Sequence, residues 1–128
     1  MPQQTQVRAT PVVAIVDDDE SLRSALESLL RASGYRPLLF ADAAQFLGSE
    51  TAPSCACLIS DLQMPGINGL QMHTRLRAMG LRIPTIFISA FIEALPTSAI
   101  GHDGVVACLP KPFDSEHLLQ CVAMALGQ

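Results

Sequence analysis

The sequence predicts an α/β protein: one parallel five-stranded sheet, doubly wound, with helices on both faces. Two observations predict it. Short apolar runs of strand length alternate with longer segments whose apolar residues recur at helical spacing. The central runs are apolar at nearly every position, as expected of strands buried on both faces. The length of 128 residues suits one domain.

The elements follow in order. Val12-Val-Ala-Ile-Val16 is a strand-length run that stops at three aspartates. Over Ser21 to Ser33, Leu22, Ala25, Leu26, Leu29 and Leu30 mark one helix face, and Gly34 supplies the stop. Arg36 to Phe40 reads as a second strand, and Pro37, which has no N–H to donate, places it on a sheet edge. Asp42 with Gln45 three residues on resembles a capping box opening a short helix through Leu47. Cys55 to Ser60 is a third strand ending at Asp61, followed by the turn-rich Met64-Pro-Gly-Ile-Asn-Gly69 and a helix to Met79 closed by Gly80. Pro84 to Ser89 and Val105 to Leu109 are the fourth and fifth strands, and Asp114 caps a last helix running nearly to Gln128. Between the last two strands, Ala94 to His102 should be a helix, yet Pro96, Thr97, Ser98 and Gly101 make it a poor one, short or mobile. Five strands and five helices fit the flavodoxin-like (βα)5 order 2-1-3-4-5, in which the second strand is an edge, in agreement with Pro37. Residues 1–10 are expected to be extended or disordered, and 11–128 to form the domain.

Composition excludes several functions. Twelve acidic and eight basic side chains give a formal charge of −4, and no basic stripe is present, so nucleic acid and anionic membrane surfaces are poor electrostatic matches. No apolar run approaches the roughly 18 residues of a membrane span, and the polar start lacks a signal-peptide core. The cysteines Cys55, Cys57, Cys108 and Cys121 form no CxxC pair and are read as buried, reduced thiols of a cytoplasmic protein; Cys55 and Cys57, two apart, would share a face of a strand. His73, His102 and His117 are scattered without ligand spacing.

In open α/β sheets the ligand site lies beyond the carboxyl ends of the strands. Here the first strand ends in Asp17 and Asp18, the third in Asp61, the fourth in Ser89, and the fifth leads to Lys111, the sole lysine among eight basic residues. Three carboxylates crowded together raise one another's pKa unless a cation intervenes, and a hard divalent ion such as Mg2+ is the natural one. With a lysine beside it, such a site suits stabilisation of a transferring phosphoryl group, and a carboxylate there can be the nucleophile. Each residue has a plainer explanation when taken alone. Asp19 or Glu20 more readily caps the following helix, Ser89 is an ordinary strand-end hydroxyl, and Lys111 a solvated lysine. The set at matching strand ends is harder to explain that way.

Ile15-Val-Asp-Asp-Asp19, Ile59-Ser-Asp-Leu-Gln-Met-Pro-Gly-Ile-Asn-Gly69, Ile86-Phe-Ile-Ser-Ala90 and Pro110-Lys-Pro-Phe113 resemble the receiver domain of two-component response regulators, over about Val12 to Leu126. The Ser-Gly-Tyr-Arg and Phe-Ala-Asp-Ala-Ala-Gln-Phe-Leu stretches look most like receivers of the nitrogen-fixation and aromatic-degradation regulators. The resemblance implies a phosphoacceptor and not a conventional turnover enzyme. Asp61 would accept a phosphoryl group from a phosphohistidine on a sensor histidine kinase or histidine phosphotransfer protein. Asp18, Asp61 and the Gln63 backbone carbonyl would hold Mg2+, with Asp17 acting largely through coordinated water. Ser89 would hydrogen-bond a phosphoryl oxygen, Lys111 would pair with Asp61 and then with the phosphoryl group, and Lys111–Pro112 would be a cis peptide. A downstream protein target or a homodimer is left open.

Three positions depart from the family. Cys108, three before the lysine, replaces the usual Tyr or Phe, and a thiol sweeps less volume than a ring. The poor helix at Ala94 to His102 falls on the same output face, so signalling through an altered surface is expected. Phe91 and Gln63, each two beyond a site residue, flank the path of hydrolytic water; a bulky apolar ring there favours a long-lived phosphoryl state. Two other readings of the fold compete, the first of them enzymatic. Asp17-x-Asp19 superficially resembles the first motif of haloacid-dehalogenase-type phosphatases, but no later acidic pair completes it. A flavodoxin would need a Ser/Thr/Gly-rich phosphate cradle in place of the aspartates. A receiver-like module that no longer accepts phosphate is the non-enzymatic rival.

Overall fold

The computed structural model describes residues 10–90 and 104–127. Its elements are β1 (Val12–Val16), α1 (Glu20–Ala32), β2 (Arg36–Phe40), α2 (Ala43–Leu47), a 3-10 turn (Ala52–Ser54), β3 (Cys57–Asp61), α3 (Gly69–Ala78), β4 (Thr85–Ser89), β5 (Val105–Pro110) and α4 (Ser115–Ala125). The strands form one sheet in the order β2-β1-β3-β4-β5, every neighbouring pair parallel. This is the predicted flavodoxin-like order, with Pro37 on the edge strand opposite Val13. Residues 1–9, the expected helix at Ala94–His102 and Phe91 lie outside the described residues.

Alternation along each strand sorts side chains into two layers. Val13, Ile15, Cys57, Ile59, Ile86 and Ile88 pack with Leu26 and Leu30 of α1 and Leu118, Cys121 and Val122 of α4. The alternate residues Ala14, Val16 and Leu58 meet Phe46 of α2 and Met72 and Leu76 of α3 on the other face. Each buried Leu, Ile or Phe side chain contributes about 1.5–3 kcal/mol, enough in sum to hold the strand ends in register.

Side-chain caps set the helix starts. Asp19 accepts from the backbone N–H groups of Ser21 and Leu22, so α1 begins one residue earlier than the periodicity suggests. Asp42 accepts from Gln45 N–H, but the Gln45 side-chain Oε1 accepts from Ala41 N–H, one residue outside a regular capping box. Asn68 and Gln71 form a complete box at the start of α3. Asp114 caps α4 through Glu116 N–H.

Cys55 and Cys57 correct the expectation of a shared face. Cys55 N–H donates to Ala52 in the 3-10 turn, so β3 starts only at Cys57. The chain enters the strand through that turn, and the two thiols end in opposite layers. All four cysteines are free; burial pushes the Cys55 thiol up to about 11 and Cys57 to about 12, the values of inert core thiols. Among the described residues, no helix is long and apolar enough to cross a membrane.

Candidate functional site

The carboxyl ends of β1, β3, β4 and β5 meet at one rim, and the strand register explains why. Val16 lies opposite Ser60, so Asp17 and Asp61 leave adjacent strands side by side. Ser89 lies opposite Pro110, which delivers Lys111 next to it; Lys111 N–H donates to the Ser89 carbonyl at 3.0 Å. The Lys111–Pro112 peptide bond is cis.

Asp17 is 1% exposed and Asp61 7%, whereas Asp18 faces solvent. Lys111 Nζ donates to Asp61 Oδ2 at 2.9 Å and to Asp17 Oδ2 at 3.1 Å, bridging the two buried carboxylates. Their other oxygens close local turns: Asp17 Oδ1 accepts from Asp19 N–H at 2.9 Å, and Asp61 Oδ1 from Gln63 N–H at 3.0 Å. Asp17, Asp18 and Asp61 each present an oxygen within 4.8 Å of the others. Among the described residues this is the one cluster of its kind. Three acids face one ammonium, so the rim keeps an excess of negative charge. The donor set is all oxygen, with lone pairs to spare on each bonded carboxylate, which fits a hard divalent cation such as Mg2+.

The electrostatics divide unequally across the bridge. Burial holds the Asp17 carboxyl above the usual carboxylate range, despite the Asp19 N–H and Lys111 contacts that oppose it. Burial also works against the charged form of Lys111, but the adjoining Asp61 and Asp17 carboxylates outweigh it and raise the ammonium above its ordinary value. The physical difference is solvent: the lysine side chain keeps 23% of its surface exposed and Asp17 only 1%.

The remaining predicted positions take these places. Ser89 is buried at the end of β4. Gln63 is exposed two residues beyond Asp61. Cys108, opposite Phe87 on β5, packs with Leu70 against a small cluster of Leu62, Phe87 and Val105. Asp19 is engaged in capping α1 and is absent from the carboxylate cluster. His73 is buried against Thr85 and Phe87, away from the acids.

Three features were not foreseen. Lys111 bridges Asp17 as well as Asp61. Arg23 Nη1 donates to the Asp17 carbonyl at 2.6 Å. Gly69, the first residue of α3, lies so close to the end of β3 that a Cβ there would collide with the Asp61 carbonyl oxygen and come within 3.1 Å of Leu62 Cα and Phe87 Cε1. The Asn68–Gln71 signature marks the helix start in the sequence, but the approach of that start to β3 is a tertiary fact.

The family model for the response regulator receiver domain matches residues 13–123. Response regulator protein TmoT of Ectopseudomonas mendocina is 37% identical over 90% of this chain and 52% of its own length. Nodulation protein W of Bradyrhizobium diazoefficiens is 33% identical over 94% of this chain and 53% of its own. The chain therefore spans about half the length of these relatives. The solved structure of response regulator StyR superposes with a TM-score of 0.85 at 36% identity, covering 93% of this chain and 60% of that one.

Proposed function

The chain belongs to the response regulator receiver domain family, and we propose that Asp61 is its phosphoacceptor, charged from a phosphohistidine on a sensor histidine kinase or a histidine phosphotransfer protein in the cytoplasm. The observation that carries this reading is the Lys111 bridge between Asp61 and Asp17 beside the exposed Asp18. An Asp61 carboxylate oxygen attacks phosphorus, the phosphorus–nitrogen bond breaks, and the imidazole leaves with the bonding pair, so one bond replaces another and no redox partner is needed. Lys111 already sits within hydrogen-bond reach of the nucleophile and follows the added charge onto the phosphoryl oxygens. The Ser89 hydroxyl donates to one of those oxygens. Asp17, Asp18, Asp61 and the Gln63 carbonyl would hold Mg2+, which supplies positive charge to the transferring group when bound.

Incubation with Mg2+ and acetyl phosphate, followed by intact mass, tests the reading. One added phosphoryl group is expected on the wild type and none on Asp61→Asn; the absence of an adduct on the wild type refutes it, as does an adduct that survives the substitution.

The output is proposed to run through an altered surface. Cys108 and its partners Leu62, Leu70, Phe87 and Val105 form a small apolar cluster across β4 and β5, against the residue that follows β3 and the first turn of α3. A thiol in it transmits less displacement than a ring. Small amide shifts around Cys108 on adding beryllofluoride with Mg2+ support this; large ones across the whole face overturn it.

A further inference from the structure

Asp17 is held at each of its polar atoms, by a different partner each time. Its N–H donates to Phe40 on β2, Oδ1 accepts from Asp19, and Oδ2 accepts from Lys111. Its carbonyl lies beyond the last paired residue of β1, where the ladder with β3 has ended, and it takes the Arg23 guanidinium instead. Arg23 is well placed for this reach. Its own N–H donates to the carbonyl of Asp19, the N-cap of α1, so its backbone is anchored to the acidic turn, and its half-buried side chain folds back onto that turn.

Asp18 is the contrasting case. It is exposed, and no protein donor among the described residues holds its carboxylate. Its direction therefore depends on its backbone, and the peptide unit carrying the Asp17 carbonyl also carries the Asp18 N–H. We propose that Arg23 is a positioning residue for the metal: by clamping the Asp17 carbonyl it orients the Asp17–Asp18 peptide and so aims the Asp18 carboxylate at the ion. The proposal rests on the reading that Asp17, Asp18 and Asp61 hold Mg2+.

The sign of one measurement separates positioning from plain electrostatics. A guanidinium near a divalent cation repels it, so losing the charge alone tightens Mg2+ binding. Losing an orienting contact weakens it, by about tenfold at the low end for partners that support a ligand from behind. The test is the Mg2+ dissociation constant fitted from the rise of melting temperature with Mg2+ concentration, at constant ionic strength, for wild type, Arg23→Met and Arg23→Lys. Arg23→Met keeps the aliphatic stem and should need about tenfold more Mg2+. Arg23→Lys keeps the charge and one donor and should fall between. An unchanged Mg2+ dissociation constant, with only the metal-free melting temperature lowered, overturns the proposal, and so does tighter binding in Arg23→Met. A wild type with no Mg2+ transition overturns the metal reading and this proposal together.

Discussion

Gly69 offers the sharpest test of how the fold places the phosphoacceptor. Its φ is not in the left-handed region, so the requirement for glycine is steric: the N-terminus of α3 presses on the carbonyl of Asp61. In Gly69→Ala the helix start and the strand end must part by between about half and one ångström to restore ordinary van der Waals separations. Gly69 N–H donates to the Leu62 carbonyl at 2.9 Å, so that bond is strained as well. Overpacking of this kind costs about 1–3 kcal/mol. With about 2.1 cal/mol/K of unfolding entropy per residue, a chain of 128 residues should melt roughly 4–11 °C lower. A displacement near one ångström at a reacting centre costs up to about 100-fold in rate.

Gly80→Ala is the matched control. Gly80 has φ +83° with open space around it, so alanine there costs backbone strain of about 1–2 kcal/mol without touching the rim. Melting is followed by circular dichroism and phosphorylation by intact mass with acetyl phosphate, well below both midpoints. Both variants should lose stability, and only Gly69→Ala should lose phosphorylation rate. Wild-type stability and rate in Gly69→Ala, or equal rate losses in the two variants, would refute the steric account.

The other predictions concern charge, capping and hydrolysis. Because the folded-state pKa of Asp17 is raised by burial, its contribution to stability is present below the unfolded value near 3.8 and is lost as pH rises through the folded value; Asp17→Asn should therefore resist urea better than wild type at pH 7, with the gap closing below pH 4. Lys111 acts in the same direction at the alkaline limb: its raised pKa stabilises the fold fully below its ordinary value of 10.5, and urea resistance should decline as pH climbs past it, less so in Lys111→Met. Asn68→Ala removes the capping box of α3 and should cost about 1 kcal/mol by urea denaturation. Phe91→Ala should lose its phosphoryl group faster than wild type when followed by mass after removal of the donor; an equal or slower loss contradicts a water-excluding ring.

Much of the fold was legible because its signals are local. Val12–Val16 and Thr85–Ser89 are apolar runs of strand length, and Asp19, Asp42 and Asp114 are cap residues recognisable by type and position. The rim was legible for a related reason: in a parallel sheet every strand ends on the same side, so listing strand-final residues places Asp17, Asp61, Ser89 and Lys111 together without coordinates. Cys55 was misplaced because an apolar run carries no mark where a 3-10 turn ends and a strand begins. That single ambiguity moved its side chain to the other layer.

The sequence by itself determined which residues reach the rim, since periodicity and caps depend on neighbours in the chain and parallel strands all end on the same side. Only the tertiary structure decided how they divide the work there. That Lys111 spans Asp17 and Asp61, that Arg23 holds the Asp17 carbonyl, and that Gly69 must lack a Cβ to let α3 meet β3 all depend on distances between segments far apart in sequence or on where a flexible side chain comes to rest. Burial then set the charge balance: Asp17 and Lys111 share one contact, but water withdrawn from the acid disfavours its charged form, while the partly solvated base keeps its charged form favoured by the carboxylates.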